Sequence, residues 1–139
     1  QKFKQLSLYV NSTNDVGVNK GCDLIILWQD AEQKRALVFD LKSDRLKPKD
    51  NQKQLDNSEL FLKYLLSMAA VHYGINVDSI EIDKAIVTTN ARNVRKRTTY
   101  QPNDEASMVG NYKVESVVAN SSRTASISFR QLTRGAANE

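Results

Sequence analysis

Apolar residues in this chain cluster into short runs separated by polar stretches, the pattern of β-strands joined by turns. Residues 6–10 form a first β-prone run that ends in a group of turn-forming residues. Two longer apolar runs follow at residues 24–28 and 36–41, with the polar stretch 29–35 between them. Two such runs joined by a polar loop predict a β-hairpin whose faces are both largely buried.

The spacing of apolar residues becomes helical between residues 51 and 73. One stripe of apolar side chains, with the neighbours that widen it, consists of Leu55, Phe61, Leu62, Tyr64, Leu65, Leu66, Met68 and Ala69. Asp50 or Asn51 can cap the first turn, and Gly74 suits the left-handed conformation that ends many helices. The sequence therefore predicts one long helix that packs through this stripe.

Strand patterns return after the helix. Residues 80–88, 112–119 and 124–129 are apolar runs of strand length. Residues 90–109 are polar and are expected to form a long loop, or a short helix with a loop. The order of strands, one long helix and further strands predicts an α+β fold or a mixed sheet.

The composition is that of one globular domain. The 139 residues are 40% hydrophobic and 26% charged, with 5 glycines and 2 prolines, which excludes low-complexity and disordered classes. No apolar run approaches the roughly 18 to 20 residues that span a bilayer, so no membrane partner is expected. The chain begins with Gln1 rather than Met and could therefore be a fragment of a longer protein.

The cysteine content indicates the cellular compartment, and the net charge indicates the type of binding partner. Cys22 is the single cysteine, which excludes an internal disulfide and a cysteine-based zinc site and makes a reducing, cytoplasmic location the default expectation. The 20 Lys and Arg residues exceed the 16 Asp and Glu residues, so the formal net charge is +4. This charge suits a polyanionic partner without requiring one.

The predicted hairpin brings two aspartates together. With its loop centred between residues 31 and 32, facing residues have numbers that add up to 63, and Asp23 faces Asp40. Side chains alternate along a strand, so Lys42 shares the face of Asp40. Two like charges opposite each other on a sheet cost about 0.2 to 1 kcal/mol, and more where water is excluded. The arrangement therefore calls for a counter-charge.

A divalent cation would supply that charge. Mg²⁺ prefers oxygen ligands, so Asp23, Asp40 and the backbone carbonyl of Leu41 are candidate metal ligands. Metal-bound water is more acidic than bulk water, and the ion polarises a phosphodiester. Lys42 would orient or deprotonate the nucleophile and stabilise charge on the phosphate. These residues predict the active site of a phosphodiester hydrolase.

Asp23, an interval of sixteen residues, the triplet Asp40-Leu41-Lys42 and a long helix together resemble the PD-(D/E)xK nuclease superfamily. The resemblance covers roughly residues 21–74. It implies an α/β (α+β), restriction-endonuclease-like fold with a central mixed β-sheet flanked by helices. It also implies an endonuclease that cleaves DNA, or less often RNA, with Mg²⁺ or Mn²⁺ on Asp23 and Asp40 and with Lys42 catalytic. Restriction enzymes, Holliday-junction resolvases, transposases and phage-defence nucleases share this pattern.

The chain departs from that family at two places. Many members carry a glutamate on an upstream helix, but no Glu precedes Glu32, and Cys22 stands where a proline often precedes the first Asp. Either the helix lies upstream of Gln1 in a longer chain, or Asp15 replaces the glutamate, or the site works with fewer ligands. A degenerate module that binds nucleic acid or a protein partner without cleaving is the alternative.

Basic residues follow the predicted site along the chain. Candidates for contact with a phosphate backbone are Arg45, Lys47, Lys49, Arg92, Arg95, Lys96 and Arg97. Tyr100 could stack on a base, although a solvated loop explains the same residues as well. Gln54 is a weaker candidate, near where several branches of the family use a glutamine to position the lysine or the substrate. Other expected partners are a second copy of the chain or further domains.

Overall fold

The computed structural model describes residues 17–30, 33–43, 46–89, 108–117 and 124–133. Their elements, in chain order, are β1 (Leu24–Asp30), β2 (Gln33–Lys42), α1 (Pro48–Tyr73), β3 (Ile80–Thr88), β4 (Met108–Val109), β5 (Tyr112–Ser116) and α2 (Phe129–Leu132). The strands form one sheet in the order β1-β2-β3-β5-β4. β2, β3 and β5 are parallel neighbours, whereas β1 and β4 pair antiparallel at the two edges. The predicted combination of a mixed sheet with helices is confirmed.

β1 and β2 form the predicted antiparallel hairpin. Leu24 pairs with Phe39 and Asp30 pairs with Gln33, so facing residues have numbers that add up to 63, as predicted. The strands also run through most of the polar stretch 29–35, and the loop predicted there is wrong in its extent. Ladder pairing uses backbone groups, so polar side chains near a hairpin turn do not prevent it.

The two strands of the hairpin differ in burial. Ala36, Leu37 and Val38 in β2 are fully buried, whereas Leu24 and Leu27 in β1 are about half exposed. The reason is position, because β2 lies between two strands and β1 lies at the edge of the sheet. The predicted burial of the hairpin therefore holds for the middle of β2 and is wrong for Leu24 and Leu27 of β1 and for Leu41 at the end of β2.

Hydrophobic clusters lie on both faces of the sheet. The cluster that includes side chains of α1 has as its buried members Ala36, Val38, Leu55, Leu62, Ile86, Tyr112 and Val114. The buried members of the other cluster are Leu37, Ala85, Val87 and Leu132. On that second face, the rings of Trp28 and Phe129 meet edge to face with centroids 4.7 Å apart. The central strands β2 and β3 contribute to both clusters, so they are the most constrained part of the sheet.

Helix α1 starts earlier than predicted and ends where predicted. Lys47 is its N-cap residue and Pro48 its first helical residue, so the predicted capping by Asp50 or Asn51 is wrong. Proline suits the first helical position because its missing N–H would have no partner there. Gly74 ends the helix with a φ of 64°, and its N–H donates to the carbonyl of Ala70 at 3.0 Å.

The predicted apolar stripe of α1 is confirmed at Leu55, Leu62 and Leu66 and is wrong at Tyr64, Leu65 and Met68. Leu55 and Leu62 are buried, and Leu66 packs against their cluster. The side chains of Tyr64, Leu65 and Met68 are exposed. The polar residues Asn51 and Ser58 are buried instead. Helical spacing identifies residues that share a face, but it does not show how far a neighbouring sheet covers that face.

A buried lysine joins α1 to the sheet. Lys84 in β3 places its ammonium nitrogen 2.7 Å from Asp56 Oδ1 and 2.8 Å from Glu59 Oε2. Burial acts to raise the pKa of both carboxyls, but hydrogen bonds from Lys84 and other neighbours outweigh it, and both pKa values are lowered. Burial acts to lower the pKa of Lys84, and the two carboxylates raise it above its usual value. The ion pairs of this cluster therefore connect helix α1 to strand β3.

The strand predicted at residues 80–88 is confirmed, and the end of the chain differs from prediction. β5 covers Tyr112–Ser116 of the strand predicted at 112–119, and residues 118 and 119 lie outside the described part. The strand predicted at 124–129 is wrong, because residues 124–128 have no regular structure and α2 follows. Ser128 and Gln131 explain the helix, since the Gln131 side chain accepts the Ser128 N–H at 2.9 Å as in a capping box.

Several predictions fall outside the described residues. They concern the strand at 6–10, most of the polar stretch at 90–109, and Asp15 as a substitute ligand. In the described part of the chain, no helix is both long and apolar enough to cross a membrane.

Candidate active site

The sheet brings the two predicted aspartates and the lysine to one place. Asp40 and Lys42 lie at the carboxyl end of β2, and Asp23 directly precedes β1. Because Leu24 pairs with Phe39, the next position of the same register sets Asp23 opposite Asp40. Asp40 is only 2% exposed, whereas Asp23 is exposed. One carboxylate therefore lies inside the protein and the other faces solvent beside it.

The backbone of Leu41 orients Asp23. The Leu41 N–H donates to Asp23 Oδ2 at 2.9 Å. In a strand, the N–H and C=O of one residue point to the same side, so the Leu41 carbonyl also faces the side of Asp23. The next carbonyl, that of Lys42, points to the other side and accepts the Thr89 N–H at 3.2 Å. Two carboxylates and a backbone carbonyl thus converge at the start of β1.

The Asp40 carboxyl has an unfavourable environment for its charge. Burial raises the pKa of Asp40, and the hydrogen bond and positive charge of Lys42 act against that rise. The negative charge of the neighbouring Asp23 raises the pKa further. The Lys42 ammonium group therefore offsets part of the cost of burying the Asp40 charge beside Asp23.

Lys42 and Gln54 complete the contacts around Asp40. The Lys42 ammonium nitrogen lies 2.5 Å from Asp40 Oδ2 and donates to Gln54 Oε1 at 3.0 Å. The Gln54 amide nitrogen donates to Asp40 Oδ1 at 3.3 Å and to the Gly21 carbonyl at 2.5 Å. A single side chain of α1 therefore contacts the buried carboxylate, the lysine and the segment that leads to Asp23.

These residues fit a divalent cation through oxygen ligands. Asp40 Oδ2 is buried with the Lys42 charge beside it and no hydrogen bond of regular geometry. Asp23, Asp40 and the Leu41 carbonyl are hard oxygen donors of the kind that Mg²⁺ and Mn²⁺ prefer. In the described ranges, no three side chains of His, Cys, Asp or Glu come together. The site therefore offers two carboxylates, and water or substrate oxygens would fill the remaining positions.

The predicted nucleic-acid contacts divide into two groups. Lys47 and Lys49 lie exposed at the start of α1, shortly after Lys42 in the chain. The other five, which lie outside the described residues, are Arg45, Arg92, Arg95, Lys96 and Arg97. Among the described candidates, two exposed cations therefore lie at the start of α1.

The helix supplies two further residues that the sequence pattern did not identify. Asn57 and Ser58 hydrogen-bond the backbone of residues 17–22, which lead into Asp23. Ser58 lies between Leu55 and Leu62 on the buried face of α1. A polar residue at such a core position is the signal in the sequence, because buried hydroxyl groups require hydrogen-bond partners.

Comparison of the chain with protein-family models, with curated proteins and with solved structures found no match. Function must therefore be inferred from the arrangement of Asp23, Asp40, Lys42 and Gln54.

Proposed function

We propose that this protein is a Mg²⁺-dependent or Mn²⁺-dependent endonuclease with a restriction-endonuclease-like fold. The observation that carries the proposal is the position of Asp23 beside the end of β2, where the Leu41 N–H holds it next to Asp40, with Lys42 at 2.5 Å from Asp40. Ordinary ion pairs at strand ends do not need a second carboxylate against the first. A cation site explains the second carboxylate, because both carboxylates then share the bound cation as their counter-charge.

The roles of the residues follow from their positions. Asp23, Asp40 and the Leu41 carbonyl would hold the cation, which when bound makes a water molecule more acidic and polarises the phosphodiester. Asp40 contributes a carboxylate whose geometry is fixed by burial and by the Gln54 amide. Asp23 contributes a solvent-accessible carboxylate held by the Leu41 N–H. The cation would therefore lie at the surface, where a nucleic-acid strand can reach it.

Lys42 supplies the positive charge next to the reacting groups. Its ammonium group is partly exposed and is held by Asp40 and Gln54. In that position it would orient the attacking water and stabilise the charge that develops on the phosphate. Gln54 would act by holding Lys42 and Asp40 in place, which makes it a positioning residue.

Fold and charge support a nucleic-acid substrate, with DNA favoured over RNA. A mixed sheet that carries the acidic residues on an antiparallel hairpin, followed by a long helix, agrees with the restriction-endonuclease-like arrangement. The net charge is +4, and Lys47 and Lys49 are exposed at the start of α1, the helix that carries Gln54. The single cysteine fits a reducing, cytoplasmic setting.

A second candidate function is a nuclease-fold module that binds nucleic acid or a protein without cleaving. One observation favours it: the described residues bring two carboxylates to the site, and both oxygens of Asp40 already contact protein groups. In such a module Lys42 would be the permanent counter-charge of Asp40. The two functions differ in whether a divalent cation binds in a way that depends on Asp23.

Nicking of supercoiled plasmid DNA tests the proposal. We expect the wild-type protein to nick the plasmid with Mg²⁺ and to be inactive in EDTA, and Asp40→Ala and Lys42→Ala to be inactive in both. Asp78→Ala and Lys53→Ala change exposed residues away from these contacts and should remain active. A wild-type protein that nicks nothing, or Asp40→Ala and Lys42→Ala proteins that nick as well as wild type, would refute the endonuclease function.

Calorimetry with Mn²⁺ separates the two candidates. An enzyme of the proposed kind should give a binding heat that disappears in Asp23→Ala and persists in Asp78→Ala. A binding-only module should give no heat that depends on Asp23. Binding of labelled DNA in EDTA then measures the affinity for nucleic acid without the metal.

A further inference from the structure

Asp23 lies just outside the part of the chain that the sheet ladder fixes. β1 begins at Leu24, so the backbone of Asp23 precedes the first residue pair of the hairpin. The Leu41 N–H fixes one oxygen of its side chain. The ladder therefore holds the Asp23 backbone only from the side of Leu24, and residues 17–22 hold it from the other side.

Side chains of helix α1 form hydrogen bonds with the backbone of residues 17–22. The Asn57 amide nitrogen donates to the carbonyl of Gly17 at 2.9 Å and to that of Lys20 at 3.3 Å. The Gly17 carbonyl also accepts the Lys20 N–H at 3.1 Å, which closes a turn at this point. One amide group of the helix therefore holds both ends of that turn.

Ser58 holds the residue next to Asp23. Its hydroxyl oxygen accepts the Cys22 N–H at 2.7 Å and its hydroxyl proton is donated to the Gln54 carbonyl at 3.0 Å. Ser58 is fully buried, so water cannot replace the hydroxyl in this contact. The hydrogen bond therefore fixes the backbone one residue before Asp23 relative to the helix that also carries Gln54.

We propose that Asn57 and Ser58 are positioning residues that set the place of Asp23, and thereby the affinity of the site for its divalent cation. This inference rests on the proposed function. Mg²⁺ demands near-ideal octahedral geometry, so a displaced carboxylate ligand weakens binding. Removal of residues that orient metal ligands typically costs about 10-fold to 100-fold in metal affinity.

A purely structural role for the two residues makes a different prediction. Loss of Asn57 or Ser58 contacts would then lower the melting temperature and leave the affinity of the folded protein for metal unchanged. Alanine is a better helix former than asparagine or serine, so substitution by alanine does not weaken α1 through helix propensity. Metal affinity below the melting transition is therefore the readout that distinguishes the two roles.

The test is calorimetric titration of Mn²⁺ into wild type, Asp23→Ala, Asn57→Ala and Ser58→Ala, at a temperature where each is folded. Ser67→Ala is the matched control, because Ser67 makes the same hydroxyl contact to a carbonyl four residues earlier, Lys63, but is exposed. We expect Mn²⁺ to bind about 10-fold to 100-fold more weakly to Asn57→Ala and Ser58→Ala, and within about twofold of wild type to Ser67→Ala. Asn57 is partly exposed, so Asn57→Ala keeps the test valid if Ser58→Ala does not fold.

The outcomes separate this inference from the function on which it rests. If wild type binds Mn²⁺ through Asp23 while Asn57→Ala and Ser58→Ala bind within about twofold of wild type, the positioning role is refuted and the metal site stands. If wild type shows no heat that depends on Asp23, both fail. Cleavage assays add a second readout, because positioning predicts that raising the Mg²⁺ concentration restores much of the lost rate in both variants.

Discussion

Asp40 and Lys42 form a close ion pair in which the ammonium nitrogen lies 2.5 Å from Oδ2 of a carboxylate that is 2% exposed. Alternation along β2 places both side chains on one face, and Gln54 contacts each of them. A cation that binds Asp40 must share this carboxylate with the lysine. The charge of Lys42 should therefore affect both the affinity of the site for a cation and the proposed cleavage reaction.

Removing the lysine should strengthen metal binding while it abolishes cleavage. In Lys42→Met the buried Asp40 carboxylate loses its counter-charge, so the gain from binding Mn²⁺ increases. We expect a roughly tenfold or greater gain in affinity, since one nearby charge shifts the proton affinity of a carboxylate by about one to three pKa units. Calorimetry measures the affinity and plasmid nicking the activity, with Lys53→Met as an exposed control. Weaker or unchanged Mn²⁺ binding would show that Lys42 and the cation do not compete.

Gln54 should affect catalysis more strongly than its helix neighbour Gln52. Gln54→Leu removes the contacts to Asp40, Lys42 and the Gly21 carbonyl at once. We expect cleavage to fall by about 10-fold to 100-fold, as for other residues that orient metal ligands. Gln52 hydrogen-bonds Asp56 outside the site, so Gln52→Leu should cleave at close to the wild-type rate. Equal cleavage rates for the two variants would show that Gln54 has no role in the active site.

The Lys84 cluster should make stability depend on pH at the acidic end. The pKa values of Asp56 and Glu59 are lowered in the fold, so their contribution to stability is present above their ordinary values near 3.8 and 4.5. That contribution is lost as the pH falls through their lowered values in the folded protein. The raised pKa of Lys84 has the opposite sign: its contribution is lost only as the pH rises above 10.5.

The variant Lys84→Met tests this cluster. We expect it to lower the free energy of unfolding by about 1 to 3 kcal/mol at neutral pH, a range reduced for the partial exposure of Asp56. The difference from wild type should shrink as the pH falls below the ordinary values near 3.8 and 4.5 and through the lowered pKa values of Asp56 and Glu59 in the wild-type fold. Urea unfolding at neutral and acidic pH measures the difference, and Lys53→Met, at an exposed residue of the same helix, is the control. A difference that does not change with pH would indicate loss of packing instead.

Two leucines of α1 test which face of the helix is buried. Leu55 is fully buried and Leu60 is 65% exposed. We expect Leu55→Ala to lower the free energy of unfolding by about 2 to 5 kcal/mol and Leu60→Ala by about 0.5 kcal/mol or less. Denaturant unfolding followed by circular dichroism measures both. Similar costs for the two variants would mean that α1 packs through a different face.

The hairpin was predictable because one turn fixes many positions. Once the centre of the loop lies between residues 31 and 32, the register of every pair follows, and its extension by one residue sets Asp23 opposite Asp40. The burial of β1 was not predictable in the same way. It depends on the order of strands in the sheet, which places β1 at an edge, and apolar composition does not determine that order.

The contacts of α1 show a similar limit. Spacing predicted that Leu55 and Leu62 share a face, and the structure buries both. It did not predict that Gln54, Asn57 and Ser58 meet the segment before β1, because those contacts depend on how the helix crosses the end of the sheet. The strand predicted at 124–129 is wrong for a local reason, because the capping pattern of Ser128 and Gln131 starts a helix that β-propensity does not indicate.

The most direct test of the proposed nuclease is the plasmid-nicking rate of Asp40→Asn at saturating Mg²⁺. This change keeps the shape of the side chain and removes its negative charge, so the fold should persist while the metal site is lost. We expect the rate to fall at least about a thousandfold, which corresponds to several kcal/mol of lost transition-state stabilisation. Asp78→Asn, an exposed control, should retain the wild-type rate. A rate for Asp40→Asn equal to that of wild type would contradict the proposed active site.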